Sequence, residues 1–256
     1  LHYCDEFEAV FDAVTNGTAD AGIIPIENSL EGAVPQNLDL LLDRDVQICG
    51  ELVLPVRHCL VGRGDISSVR VIVSHPQALA QCRGYLRRRF PDVELRTTGS
   101  TSHAARLAQE FPEMGAIAGA STAELYSLRI LEHDIQDRSS NATRFAVISS
   151  EAASPTGRDK TSIAVYLDRD SPGALCGILS EFARRSINLT RIESRPSKLG
   201  LGDYYFFIDL EGHKEDLKVK ESLQGVLRKA ARVKVLGSYP KQKKAGETAQ
   251  QGLLQP

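Results

Sequence analysis

Asn141-Ala142-Thr143-Arg144-Phe145 stands where one pattern of the chain ends and another begins. Ahead of it, strand-like and helix-like runs alternate from Asp5 onward. Behind it come one apolar strand, Phe145–Ser149, and a loose run, Glu151–Asp159. A shorter strand-helix-strand-strand-helix-strand pattern follows. The stretch therefore joins two architectures. A hydroxyl beside a guanidinium, just ahead of an apolar strand, suits the holding and protonation of an anion. The same residues also make an ordinary loop, so the stretch alone does not decide between the two.

Towards the N-terminus, Asp5 and Glu8 form a D-x-x-E capping-box pattern ahead of helically spaced Phe7, Val10, Phe11 and Val14. Ala21–Ile26 reads as a buried strand running into Glu27-Asn28-Ser29, polar groups just past a strand end. Ligands of open α/β sheets bind at such ends. A leucine-rich helix (Leu38, Leu41, Leu42) and an extended stretch, Val46–Val61, come next. Val69–Val73 is a strand that enters Ser74-His75-Pro76-Gln77-Ala78-Leu79, with Pro76 suited to a first helical turn. The helix it opens turns Leu79, Cys82 and Leu86 inward and Arg83, Arg87, Arg88 and Arg89 outward. Val93–Thr97 is a strand, Ser100-Thr101-Ser102 caps a helix, Gly115–Ala118 is a strand and Ala120–Leu128 a helix. The alternation predicts a mostly parallel α/β sheet. Helix N-termini present free N–H groups that suit carboxylates and phosphates, although plain capping accounts for each of them singly. His75 reads as a cap or structural group rather than an acid or base.

Towards the C-terminus, Thr161–Leu167 is a strand. Pro172-Gly173-Ala174-Leu175 opens a helix with Ile178, Leu179 and Phe182 on one face. Ile187–Ile192 is a strand ending in Glu193-Ser194-Arg195-Pro196. A turn, Lys198–Asp203, the strand Tyr204–Leu210, a helix from Lys214 to Ala230 and the strand Val233–Leu236 complete a ferredoxin-like βαββαβ order. Two such units side by side extend one sheet, which predicts a dimer. The Lys/Gln/Gly-rich tail, 241–256, reads as disordered.

Bulk properties narrow the function. The 256 residues suffice for two domains, expected at 1–152 and 160–240. A net charge of −2 gives no electrostatic argument for nucleic acid, and no apolar run is long enough to span a bilayer. Cys4, Cys49, Cys59, Cys82 and Cys176 form no C-x-x-C pair and read as reduced, buried thiols of a cytoplasmic protein. His58, His103, His133 and His213 lack metal-ligand spacing and there is no glycine-rich nucleotide fingerprint, so neither metal nor nucleotide cofactor is expected. The Arg87–Arg89 run sits at a helix end, with Asp92 and Glu94 close behind, and reads as a solvated face.

Taken in order, these motifs resemble prephenate dehydratase with a C-terminal ACT regulatory domain. The residues that carry the likeness are Pro25-Ile26-Glu27-Asn28-Ser29 with Gly32 and Val34, Ser74–Leu79 with Gln81-Cys82, Ser100-Thr101, and Asn141 with Thr143-Arg144-Phe145. In the second part they are Gly173-Ala174-Leu175 with Leu179, and Glu193-Ser194-Arg195-Pro196. The resemblance implies a two-lobed catalytic region like the type II periplasmic binding proteins. The chain would cross between lobes near Glu51–Val61 and return through Thr143–Ser149, with the active site in the cleft.

It also implies conversion of prephenate to phenylpyruvate, water and carbon dioxide without metal or organic cofactor, inhibition by L-phenylalanine, and a homodimer or homotetramer. The catalytic residues would be Thr143, near the leaving hydroxyl, and Arg144, on the pyruvyl carboxylate. Glu27, Asn28, Ser29, Gln77, Ala78, Leu79, Ser100, Thr101 and Phe145 would bind substrate. Gly173, Ala174, Leu175, Asn188, Leu189, Glu193, Ser194, Arg195 and Pro196 would bind the effector. Relatives begin with a strand and a Gly-Pro-x-Gly-Thr-Phe-like turn that this sequence lacks, so N-terminal residues are expected to be missing. Ser102 stands where relatives often have Ala. The rival reading is a binding module or an inactive regulatory relative on the same fold.

Overall fold

The computed structural model describes residues 1–167, 172–197 and 203–242. The expected turn up to residue 202 and the expected tail from residue 243 lie outside the described residues. The chain forms two compact units: Leu1–Leu54 with everything from Thr143 onward, and Pro55–Ala142. It leaves the first unit at Leu54 and re-enters at Thr143, both within the expected crossing segments.

The first unit opens with α1 (Phe7–Thr15), β1 (Gly22–Asn28), the two-residue β2 (Gly32–Ala33), α2 (Pro35–Asp43) and β3 (Gln47–Pro55). The Asp5–Glu8 capping box does not form. The helix starts at Phe7 with Glu6 at the N-cap and no side-chain cap bond, while Glu8 accepts from Gln36 Nε2 at 2.9 Å. Strand β1 is half-buried rather than buried: Ile24 and Ile26 face the core and Ile23 is exposed. It also runs further than its apolar stretch. Glu27 and Asn28 lie inside it because β2 pairs back onto them.

The second unit holds β4 (Cys59–Gly62), a 3-10 turn (Ile66–Ser68), β5 (Val71–Ser74), α3 (Pro76–Gln81), α4 (Arg83–Arg89) and β6 (Glu94–Thr97). After these come α5 (Thr101–Glu110), β7 (Met114–Ala118), α6 (Ala120–Leu125) and β8 (Arg129–Glu132). The sheet order is β6-β5-β7-β4-β8. Only the pairs of β5 with β6 and β7 are parallel; β4 runs antiparallel to β7 and β8. The expected mostly parallel sheet is therefore mixed. Helical crossovers separate β5, β6 and β7 and make them parallel, but β4, which lies between β7 and β8, runs opposite to both. The helix expected from Pro76 through Arg89 is two helices, broken at Cys82 (φ −111°, ψ 10°). Arg87–Arg89 are exposed.

The return strand β9 (Ala142–Ser149) belongs to the first unit from Thr143 on. It inserts between β1 and β3 in a sheet ordered β2-β1-β9-β3. After it come β10 (Asp159–Tyr166), α7 (Ala174–Ala183), β11 (Leu189–Pro196), β12 (Tyr204–Glu211), α8 (Leu217–Leu227) and β13 (Arg232–Pro240). Their antiparallel sheet is ordered β11-β12-β10-β13, the ferredoxin-like arrangement. One face packs under α7 and α8 through Ile163, Val165, Ile178, Phe182, Ile208, Leu210 and Val226. The other face supplies Ala164, Phe207, Leu236 and Tyr239 to the core of the first sheet, beside Phe11, Ile24, Leu38, Ile48 and Ala146. One apolar core thus spans both patterns. Gly237 (φ +154°) allows this closeness: a Cβ there would fall 2.1 Å from the Ile48 carbonyl oxygen of β3.

Of the five cysteines, Cys59 and Cys82 are buried and Cys4 and Cys49 partly so, but Cys176 is exposed, contrary to expectation. All five are free thiols. Among the described residues no helix is long and apolar enough to cross a membrane.

Candidate active site

Strands β1 and β9 pair antiparallel with Asn28 opposite Thr143, Glu27 opposite Arg144 and Pro25 opposite Phe145, across a bulge between Pro25 and Glu27. Asn28 is fixed at both ends of its amide. Its Oδ1 accepts the N–H of Leu30 at 2.9 Å and of Glu31 at 3.2 Å, which builds the turn into β2. Its Nδ2 donates to Thr143 Oγ1 at 3.0 Å. The Thr143 oxygen is thereby used as an acceptor, and its own proton is directed to a different partner. Ser29 is exposed at the turn, and Phe145 is half-buried one residue beyond Arg144.

Arg144 is more occupied than a carboxylate clamp requires. Its Nε donates to Glu51 at 2.9 Å, its Nη1 to Asp209 at 2.6 Å and Glu27 at 3.5 Å, and its Nη2 to Tyr239 Oη at 2.8 Å. Four of its five N–H donors are thus spent inside the protein, and no parallel pair is left for a bidentate carboxylate. The fork role expected for Arg144 does not follow from this geometry.

The partners are themselves tied together. Ser162 Oγ donates to Asp209 at 2.5 Å and meets Tyr239 Oη at 2.7 Å, closing a ring through β10, β12 and β13. Lys160 Nζ lies 2.9 Å from Glu51. Burial opposes the charge on Arg144, but Asp209 overcomes this and holds the guanidinium charged. Burial pushes the Tyr239 phenol above its ordinary value, with Asp209 adding to the shift.

Glu27 connects this cluster to the edge strand β11. Its Oε2 lies 3.5 Å from Arg144 Nη1 and 3.5 Å from Arg191 Nε. Arg191 Nη2 is 3.9 Å from Glu193. Glu193-Ser194-Arg195-Pro196 is not a strand end: β11 continues through Pro196 because β12 pairs along its whole length. Arg195 forms a fork on Asp39 of α2, with Nη2 at 2.8 and 2.9 Å from its two oxygens. Gly173 (φ +83°) opens α7 from the left-handed region, ahead of half-buried Ala174 and Leu175. Asn188 and Ser194 are exposed and Leu189 half-buried.

In the second unit, His75 caps α3, its Nδ1 accepting from Gln77 N–H at 3.3 Å. Ala78 is buried, and Gln77 and Leu79 are half-buried. Ser100 caps α5 by accepting from His103 N–H at 3.0 Å, with Thr101 at the first helical position. Asn141, fully buried, donates to Gln81 Oε1 at 3.1 Å, which also meets His58 Nε2 at 2.7 Å. Asn141 and Gln81 thus act as internal struts. Among the described residues no group of three or more His, Cys, Asp or Glu side chains is arranged to hold a metal.

Sequence reasoning did not find Glu51, Lys160, Ser162, Arg191, Asp209 or Tyr239. One signal was available: Asp209 interrupts the apolar run Tyr204–Leu210, and an acid in a buried strand demands a partner.

The family model for prephenate dehydratase matches residues 1–153, and that for the ACT domain matches residues 161–228. The chain is 45% identical over 243 residues to a bifunctional chorismate mutase/prephenate dehydratase of Aquifex aeolicus, covering 94% of this chain and 67% of that one. It is 43% identical over 245 residues to a prephenate dehydratase of Methanocaldococcus jannaschii, covering 94% of this chain and 88% of that one. The crystal structure of a prephenate dehydratase from Arthrobacter aurescens in complex with L-Phe superposes with a TM-score of 0.83. The two are 37% identical, covering 93% of this chain and 80% of that one. With the strand pair that sets Asn28 against Thr143, these likenesses establish that the chain belongs to the prephenate dehydratase family and carries a C-terminal ACT domain.

Proposed function

We propose that the chain converts prephenate to phenylpyruvate with loss of water and carbon dioxide, and that L-phenylalanine inhibits it through the ACT domain. The observation that carries the reading is the Asn28–Thr143 pair. Prephenate is a dianion with a ring carboxylate and a ring hydroxyl on opposite carbons. When the bond to the carboxylate breaks, its electron pair enters the ring and expels the hydroxyl. The leaving oxygen takes up a proton and departs as water, and the ring becomes aromatic. Because Thr143 Oγ1 already accepts from Asn28, its O–H is the group directed at the leaving oxygen. Thr143 is a weak acid, so it donates a hydrogen bond there while the proton itself arrives from solvent. Such assistance to a poor leaving group is worth ~10²–10⁴-fold.

Arg144 acts as a fixed positive charge one residue along, holding Glu27 and the strand. It does not clamp the ring carboxylate, whose charge the reaction must discharge. Glu27, Asn28, Ser29 and Phe145, with Gln77, Ala78, Leu79, Ser100 and Thr101, are the proposed substrate contacts. Gly173, Ala174, Leu175, Asn188, Leu189, Glu193, Ser194, Arg195 and Pro196 are the proposed effector contacts. The protein acts in the cytoplasm as a homodimer or homotetramer.

The test is phenylpyruvate formation from prephenate by the wild type and by Thr143→Val. The variant is expected to lose at least ~10²-fold in kcat/KM with its melting temperature kept. An inactive wild type ends the enzyme reading, and a fully active variant ends the role of Thr143.

A further inference from the structure

The contacts around Glu27 divide into a tight set and a loose set. Arg144 meets Glu51, Asp209 and Tyr239 at 2.9, 2.6 and 2.8 Å, and the side chains of Glu51 and Asp209 are 4% and 5% exposed. By contrast, Glu27 lies 3.5 Å from Arg144 and 3.5 Å from Arg191, and Arg191 lies 3.9 Å from Glu193. The Arg191 side chain is 9% exposed, while Glu27 and Glu193 are 35% and 37% exposed. Arg191 Nη2 has no hydrogen-bond partner among the described residues.

A buried guanidinium thus stands between two half-exposed carboxylates and is fully bonded to neither. Such a donor gains by closing onto either neighbour, and a small displacement suffices. The two carboxylates belong to different business. Glu193 lies two residues from Arg191 on the same face of β11, in the proposed effector site. Glu27 adjoins the Asn28–Thr143 pair on β1.

We infer that Arg191 is a positioning residue that divides its charge between Glu193 and Glu27. An α-amino acid whose ammonium group takes Glu193 then releases Arg191 onto Glu27 and alters the catalytic strand pair. This rests on the function proposed above. It requires that effector binding differ between the two arrangements, and the coupling must be reciprocal.

The test uses the full chain and L-phenylalanine, with phenylpyruvate formation and calorimetric binding as readouts, in Arg191→Met and Arg191→Lys. Arg191→Met is expected to keep basal kcat/KM and phenylalanine affinity within about threefold, while inhibition at saturating phenylalanine falls by more than about half. Arg191→Lys, which keeps the charge, is expected to stay inhibited. If Arg191→Met folds poorly by its melting temperature, Arg191→Gln serves in its place.

Undiminished inhibition in the uncharged variant overturns the inference. Loss of phenylalanine binding does so too, since Arg191 would then be an effector ligand. Equal behaviour of the Lys and Met variants would make its role merely structural and also overturn it. A wild type that turns over prephenate but ignores phenylalanine ends this inference and leaves the catalytic reading standing. A wild type that makes no phenylpyruvate ends the catalytic reading itself.

Discussion

Arg144 and Arg191 both approach Glu27, yet their surroundings differ in kind. Arg144, on β9, lies in a nest where Glu51, Asp209 and Tyr239 each make a hydrogen bond under 3 Å. Arg191, on the edge strand β11, is just as buried but meets its acids only at 3.5 and 3.9 Å. The first arrangement is what a low-dielectric interior demands of a charge: full pairing and full hydrogen bonding. The second leaves part of that demand unmet, so its geometry is cheap to change. One protein therefore holds a rigid charge and a movable one on either side of the same carboxylate. The rigid one ties β9 to the ACT sheet, and the movable one lies between the proposed effector and substrate residues.

The largest effect should come from breaking the rigid half. Asp209→Ala removes the nearest acid from the buried Arg144 and the acceptor of the Ser162 hydroxyl, and is expected to cost about 3–5 kcal/mol, read as the shift in a urea unfolding midpoint. A loss below about 1 kcal/mol would mean that Arg144 re-pairs, and the contrast between the two arginines would collapse.

Tyr239→Phe removes one acceptor from Arg144 and one bond to Ser162, and is expected to cost about 1–2 kcal/mol near neutral pH. The sign of its pH dependence follows from the raised phenol. In the wild type the folded state holds Tyr239 protonated while the unfolded chain ionises above about pH 10. Wild-type stability from this group is full below that pH and is lost as the pH rises beyond it. The Phe variant has no such loss, so the stability gap should narrow in alkali. A gap that widened would mean that the phenol is not buried as described.

The smallest effect should come from the loose half. Arg191→Met exchanges two long contacts for apolar packing and is expected to change stability by less than about 1 kcal/mol. A cost as large as that of Asp209→Ala would show Arg191 to be as firmly held as Arg144.

Much of the fold was legible from residue pattern. Among the described residues, apolar spacing located the α-helices, with α3 and α4 read as one, and the strands other than β2 and β8, with β3 and β4 read as one extended stretch; the βαββαβ order was readable from Thr161 onward. The failures share a cause, which is pairing between distant strands. Glu27 and Asn28 look like residues past a strand end because their apolar run stops at Ile26; only the pairing with β2 and β9 makes them strand. Glu193–Pro196 look like a strand end for the same reason and are extended by β12. The mixed sheet arises because β4, the end of the extended stretch Val46–Val61, runs against β7 and β8, a direction that no local pattern fixes. Within the site, Asn28, Thr143, Glu27 and Arg144 were nameable from motif, but the contact between the first two joins residues 115 apart. The Asp209 and Tyr239 partners of Arg144 lie 65 and 95 residues away. No local pattern encodes a contact of that kind.

By itself the sequence determined which segments become helices and strands, where the architecture changes, and which polar residues stand beside the crossover at Asn141–Phe145. Those are consequences of local periodicity, capping and turn chemistry, which need only neighbouring residues. Tertiary structure alone decided that Arg144 is spent on the ACT sheet and that Glu27 has two arginines. It also decided that a single core joins both patterns. These features depend on desolvation and on distances of a few ångströms between chemically compatible groups, and they exist only once β9 has closed against β1 and β13 has come to rest on β3.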